Sequence, residues 1–185
     1  VNCLLLEGAL PERIDGVTIY PDYRNMIRFE GILNDDRLTD EDKTLLGVRQ
    51  LFDELPPGGM GRAVDRLQWF YLRGRAPTGD SASSGRKTPR AYDVCEDAEC
   101  IYAGFLQAYR IDLVSVPYLH WWAFLALLEN LPDCTLMAQK MQLRILNLDT
   151  IKDKELRKRY AALKKQVALP EKQRTGGGKG LKERL

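Results

Sequence analysis

Apolar residues recur at helical spacing along most of this chain, and the breaks between the runs mark where helices should start and stop. In "YRNMIRFEGIL" the apolar positions Tyr23, Met26, Ile27 and Ile32 fall at three- and four-residue steps, the spacing of one helix face. Asp22 stands just before them, where its carboxylate can accept from the first free amides. In "LTDEDKTLLGVRQLFDEL" Thr39 is placed as an N-cap, with acids in the first turn near the positive helix end. Leu45, Leu46, Val48 and Leu51 with Phe52 make its apolar side. "PPGG" at 56–59 ends that helix. A third follows in "MGRAVDRLQWFYLRG", with Met60, Val64, Leu67 and Tyr71 as its stripe.

The second half repeats the pattern. In "YDVCEDAECIYAGFLQAYRIDL" Asp93 and Glu96 have capping-box spacing, and Ile101, Phe105 and Leu106 with Tyr109 form the buried face. "VSVPYLHWWAFLALLENL" predicts a helix with Pro117 in its first turn. Between Tyr118 and Leu131 only His120, Glu129 and Asn130 are polar, so this helix should lie centrally in the core. "LPDCTLMAQKMQLRIL" follows with Asp133 as cap. The last helix, "LDTIKDKELRKRYAALKKQVAL", is capped by Asp149 or Thr150 and stopped by Pro170. Its apolar residues Leu156, Tyr160, Leu163 and Val167 form a narrow stripe among many Lys and Arg. That stripe can dock on the body or on a partner, and docking on the body is the expectation.

Two stretches break the helical pattern. "RIDGVTIY" reads as a β-hairpin, with Asp15-Gly16 as a two-residue turn and Ile14, Val17 and Ile19 as strand residues. Pro21, which has no amide to donate, stops the second strand. "RGRAPTGDSASSGRKTPR", Arg73–Arg90, has no large apolar side chain and cannot offset its ordering entropy by burial. The expected fold is therefore mainly α. It is a compact helical domain of about six helices over 1–170, with an N-terminal hairpin at 12–20 and a long flexible mid-chain loop at 73–90. A flexible basic tail occupies 171–185.

Composition fits this picture. Of 185 residues, 44% are hydrophobic and 29% charged, which is ordinary for a soluble globular protein. The longest apolar run, Trp121–Leu128, is far short of the roughly 20 residues that span a bilayer. "VNCLLLEGALPER" lacks the basic start of a signal peptide, so synthesis in the cytoplasm is the expectation. Val1 as first residue fits either a GUG start codon or removal of an upstream segment. The net charge of +2 hides an uneven layout. From Lys152 onward there are 12 Lys and Arg against 4 Asp and Glu, leaving 16 against 22 in the rest. A basic end on an acidic body suits an acidic partner, or nucleic acid, or simply a solvated helix.

The candidate chemistry is thin. His120 is the only imidazole, so any Ser-His or Cys-His catalysis must use it, yet its surroundings are those of a structural histidine. Cys3, Cys95, Cys100 and Cys134 form no CxxC pair. Cys95 and Cys100 stand about 140° apart on a helix, a poor start for a zinc site with Cys134 and His120. "GGMGR" and "TGGGKG" lack the GK[ST] of a phosphate loop, and "NDDRLTDED" lacks the glycine and final glutamate of a calcium loop. Trp121 and Trp122 point about 100° apart on a helix and so should wedge different neighbours. No enzyme, cofactor or metal is expected.

Several blocks together, in order, carry a family resemblance: "YPDYRNMIRFEGIL", "LQWFYLRG", "RAYDVCEDAECIYAGFLQAYRIDL", "YLHWWAFLALLENLP" and "LNLDTIKDKELRKRYAALKKQVALP". They resemble the bacteriophage Gp15 family of tailed phages and prophages of Gram-positive bacteria, from about Pro21 to Pro170. The resemblance implies a tail-module protein encoded just before the tape-measure gene. It further implies a tail assembly chaperone that binds the tape-measure protein, with the tail tube protein or another assembly chaperone as further partners. It supplies no catalytic residues. The residues of the signature that would form either core or partner contacts are Trp69, Tyr118, His120, Trp121, Trp122, Leu156, Tyr160 and Leu163. The expected place of action is the host bacterial cytoplasm during assembly. The alternative is a minor tail protein kept in the virion. Homo-oligomerisation is left open, membrane partners are not expected, and nucleic-acid binding has no supporting motif beyond the basic end.

Overall fold

The computed structural model describes residues 8, 10–75 and 89–170 of the chain. Most of the expected mobile loop and the whole tail 171–185 lie outside the described residues. Seven α-helices and one two-stranded sheet make up the described part: β1 (Arg13–Ile14), β2 (Val17–Thr18), α1 (Tyr23–Asn34), α2 (Asp40–Leu51), α3 (Gly59–Tyr71), α4 (Ala98–Tyr109), α5 (Trp121–Glu129), α6 (Leu136–Ile145) and α7 (Lys154–Gln166). The mainly helical class with a hairpin start is as the pattern predicts. None of these helices is long and apolar enough to cross a membrane.

The described residues fall into two compact units. The first holds 10–75 together with Pro117–Ala126, and the second holds 89–116 and 127–170. The chain passes between them inside α5, after Ala126.

In the first unit β1 and β2 pair antiparallel, Ile14 opposite Val17. Asp15 and Gly16 take φ of 50° and 85°, the left-handed pair that a two-residue hairpin turn requires. The Asp15 carboxylate accepts from Arg62 Nε at 2.7 Å and from Arg66 Nε and Nη2 at 2.9 Å, which ties the turn to α3. Those hydrogen bonds hold its pKa down at about 2. Ile19 leaves the hairpin and forms an isolated bridge with Phe52, and Tyr20 N–H donates to the Leu51 carbonyl. α1 packs on α2 and α2 on α3.

The observed core face of α1 is Tyr23, Met26, Phe29 and Leu33, with Ile27 and Ile32 only half-buried beside it. Asp22 caps α1 through Arg24 N–H, and Thr39 and Asp42 form a full capping box on α2, as their positions predict. On α2 the buried apolar residues are Val48 and Leu51, while Leu45 is exposed. On α3 they are Ala63, Val64, Leu67 and Phe70; Met60 and Tyr71 are half-buried.

In the second unit α4 packs on α6 and α6 on α7. Gly104 lets α4 approach closely, since a Cβ there would meet Leu131 Cδ1 at 3.1 Å. Tyr109 Oη stands 3.0 Å from the Leu127 carbonyl oxygen and 2.9 Å from that of Asn130.

Four helix starts differ from the sequence reading. α4 begins at Ala98, and Asp93 instead holds the preceding turn through Cys95 N–H and Glu96 N–H. α5 begins at Trp121, so Pro117 lies in an extended segment rather than in its first turn. α6 is capped by Thr135 through Ala138 N–H, while Asp133 accepts from the Gln142 side chain. α7 is capped by Asp153 through Leu156 N–H, and Leu148–Thr150 is a separate 3-10 turn. On α6 and α7 a competing local hydrogen bond wins the capping role for a residue nearer the helix.

Candidate functional site

The signature residues belong to two different places. In the first unit Trp69, Tyr118, His120, Trp121 and Trp122 gather around the C-terminal end of α3. In the second unit Leu156, Tyr160 and Leu163 lie on α7.

α3 closes with Arg73 in the left-handed region, φ 59°, and Gly74 N–H donating back to the Trp69 carbonyl at 2.8 Å. The last carbonyls of a helix lack partners within it. The tryptophans donate to two of them, and that of Phe70 also accepts from Arg73 N–H at 3.1 Å. Trp122 Nε1–H donates to the Phe70 carbonyl at 2.7 Å, and Trp121 Nε1–H to the Tyr71 carbonyl at 3.1 Å. Trp122 also stacks on Phe70 and meets Trp69 edge to face, with ring centroids 5.8 and 5.5 Å apart. Trp121 stacks on Tyr71 and Phe124, each at 5.6 Å. Both indoles are buried, and Trp69 is half-buried. The sequence reading sends the two rings to different neighbours. They do meet different aromatic partners, but both serve one helix end, because successive helix carbonyls all point toward the C-terminal end.

His120 is not on the helix but in the extended residue before it, where it pairs with Asp22 in an isolated bridge. Tyr23 N–H donates to the Leu119 carbonyl and Trp121 N–H to the Pro21 carbonyl, at 2.9 and 2.8 Å. The ring is 2% exposed. Its Nδ1 accepts from Trp122 N–H at 3.0 Å, so Nε2 carries the proton and donates to the Pro11 carbonyl at 3.3 Å. Burial pushes its pKa down, against the Pro11 carbonyl and the charge of Glu12, which favour the cation. Both ring nitrogens are thus committed to backbone, and the imidazole is held neutral. Tyr118, two residues earlier, is half exposed, and burial of its hydroxyl together with Glu12 and Asp22 raises its pKa.

In the second unit the charged centre is Asp97 with Arg144. Arg144 Nη1 and Nη2 donate to the two carboxylate oxygens at 2.5 and 2.9 Å, Nη1 also to the Ala91 carbonyl at 3.1 Å, and Nε to the Val167 carbonyl at 2.6 Å. The pattern reading passed over both residues. Arg144 carried a legible signal, since it continues the stripe Met137, Met141 at the next helical step and so puts a charge on a buried face. Nearby, Lys140 Nζ lies 3.1 Å from Cys100 Sγ. Cys95 and Cys134 are exposed thiols, and the described residues contain no group of three or more His, Cys, Asp or Glu placed to hold a metal ion.

α7 differs from the other α-helices of the described residues in having no buried residue. Tyr160 and Val167 are half-buried, while Leu156 and Leu163 are 45% and 36% exposed. The expected docking of the stripe on the body is therefore partial. Leu136 and Ile145 on α6 are also exposed.

These features define a mainly helical module whose conspicuous aromatic and imidazole groups hold its interior, and whose outward apolar residues include Leu156 and Leu163 on basic α7. The sequence model described as Bacteriophage Gp15 protein matches residues 13–169, taking in the hairpin as well as the helices, and the chain belongs to that family. It is a phage protein of structural or tail-related kind. No curated protein and no solved structure matches the chain.

Proposed function

We propose that this protein is a tail assembly chaperone that acts by protein–protein binding, without catalysis, on the tape-measure protein in the host bacterial cytoplasm. The observation that carries this reading is α7, a helix with an apolar stripe, a basic surround and no buried residue. A helix kept in place with its leucines exposed suits a module that receives another helix. A tape measure is a long helical protein that has to stay unaggregated until the tail tube polymerises around it. The family resemblance supports the pairing, through the place of the gene in the tail module.

The test is co-expression with the tape-measure protein, followed by mass spectrometry of purified virions. The expected result is co-purification of the two proteins from assembling cells and absence of this chain from mature particles. Stoichiometric presence in mature particles overturns the reading in favour of a minor tail protein that stays in the virion.

A further inference from the structure

The outward side of α7 has the layout of one strand of a coiled coil. Leu156, Tyr160, Leu163 and Val167 follow steps of four, three and four, which is a d-a-d-a seam. Only half of that seam is covered: the a residues Tyr160 and Val167 are half-buried, and the d residues Leu156 and Leu163 are exposed. The two flanks differ as well. On one flank Arg157 pairs with Asp149 at 2.5 Å and Lys164 Nζ donates to the Leu146 carbonyl at 2.6 Å, so this flank turns toward its own unit. On the other, Arg159 occupies the g position and is exposed, and exposed Lys152 stands in the non-helical residues just before the helix.

We propose that the Leu156–Leu163 edge of α7 binds an amphipathic helix of a partner protein that carries apolar seam residues flanked by Glu or Asp. Charge selects this occupant from three. The chain's own segment 171–185 follows α7 directly, but it has five Lys and Arg against two Glu, and only two leucines. It would bring like charge and little apolar area. A second copy's α7 would set Arg159 against a flank that is itself basic. A partner helix with acids at its e and g positions meets opposite charge at Arg159 on the exposed flank. The inference rests on the binding role proposed above and adds the chemical class of the partner.

The experiment uses the full chain and three synthetic peptides of about 20 residues, long enough to be helical. All share one leucine seam, with Glu, Gln or Lys at the e and g positions. Affinities are read by fluorescence anisotropy at low and high salt. The Glu peptide is expected to bind at least about tenfold tighter than the Lys peptide, with the gap narrowing as salt is added. Leu156→Asp with Leu163→Asp should abolish binding while the circular dichroism spectrum is retained, and Arg159→Glu alone should reduce or reverse the charge preference. Equal affinity for the Glu and Lys peptides overturns the proposal. So does undiminished binding by the double variant. A dimer of the free chain that the double variant dissociates, seen by light scattering, assigns the edge to a second copy and also overturns it. Because the probes are synthetic, these outcomes are independent of whether the virion retains the protein.

Discussion

Arg144 holds the Asp97 carboxylate through two hydrogen bonds of 2.5 and 2.9 Å, with both side chains buried. The same guanidinium reaches the carbonyls of Ala91 and Val167, so one residue of α6 ties together α4, the segment before it and the end of α7. Burial pushes the Asp97 carboxyl up, but the hydrogen bonds of Arg144 and of Asp93 N–H outweigh it, and the net shift is downward. Removing one partner of a buried pair leaves a buried charge alone. Arg144→Met is therefore expected to cost about 3–5 kcal/mol, measured by urea unfolding. Asp97→Asn with Arg144→Met should cost less than the sum of the two single changes. A depressed carboxylate pKa contributes stability that is present above the unfolded value, about 4. That contribution is lost as pH falls through the folded value, and the double variant should lack that acid-side loss. Strict additivity would show that the two residues act separately.

Trp122 combines ring packing with a hydrogen bond to the Phe70 carbonyl, and the two contributions separate by mutation. Trp122→Phe keeps most of the ring and loses only the donor; the Phe70 carbonyl still accepts from Arg73 N–H at 3.1 Å, so the cost should be about 0.5–1.5 kcal/mol. Trp122→Ala also opens a cavity and should cost about 3–5 kcal/mol. Chemical denaturation followed by circular dichroism reads both. A stable Trp122→Ala protein that had lost only partner binding would make this ring an interface residue instead of a core one.

His120 gives the first unit a pH dependence of definite sign. Its folded pKa lies below the unfolded value of about 6.5 because burial disfavours the cation. Between the two values the unfolded chain binds a proton that the folded chain does not, so stability rises with pH there. The contribution is complete above about pH 6.5 and is lost as pH falls toward the folded value. Melting temperatures should drop between pH 7 and 5, and His120→Gln should flatten that slope. An unchanged slope in the variant would place the acid sensitivity on other groups.

The helices were legible because their apolar spacing is regular, and the hairpin because Asp15-Gly16 can adopt left-handed φ at both turn positions. Helix starts were less so. Asp93, Asp133 and Asp149 all have capping chemistry, yet Thr135 and Asp153, nearer the helices, take the role on α6 and α7, and local spacing cannot rank such competitors. The aromatic cluster was visible as residues but not as geometry: that both indoles would reach carbonyls of Phe70 and Tyr71 depends on a contact 50 residues or more away in sequence. The buried face of α1 shifted from Ile27 and Ile32 to Phe29 and Leu33 because that helix is apolar on more than one side, so the pattern leaves its rotation loosely set.

The half-covered state of α7 has a dynamic consequence. A helix of 13 residues without a buried side chain gains little from packing and is near the length at which isolated helices are marginal. The polar contacts that hold it include the Val167 carbonyl on Arg144, Lys164 on the Leu146 carbonyl, and Arg157 with Asp149. α6, by contrast, buries Met137, Ala138 and Met141. Hydrogen exchange should therefore show α7 amides opening well before those of α6, as a separate low-stability unit. Leu156→Ala and Leu163→Ala, both at exposed positions, should leave the global unfolding free energy within about 1 kcal/mol of the parent. Arg144→Met should accelerate α7 exchange further by freeing the Val167 carbonyl. On adding the acidic peptide, protection should rise along α7 first. Exchange of α7 in step with α6, in the free chain, would mean that its leucines are covered in solution and that the open surface is not there to bind a partner.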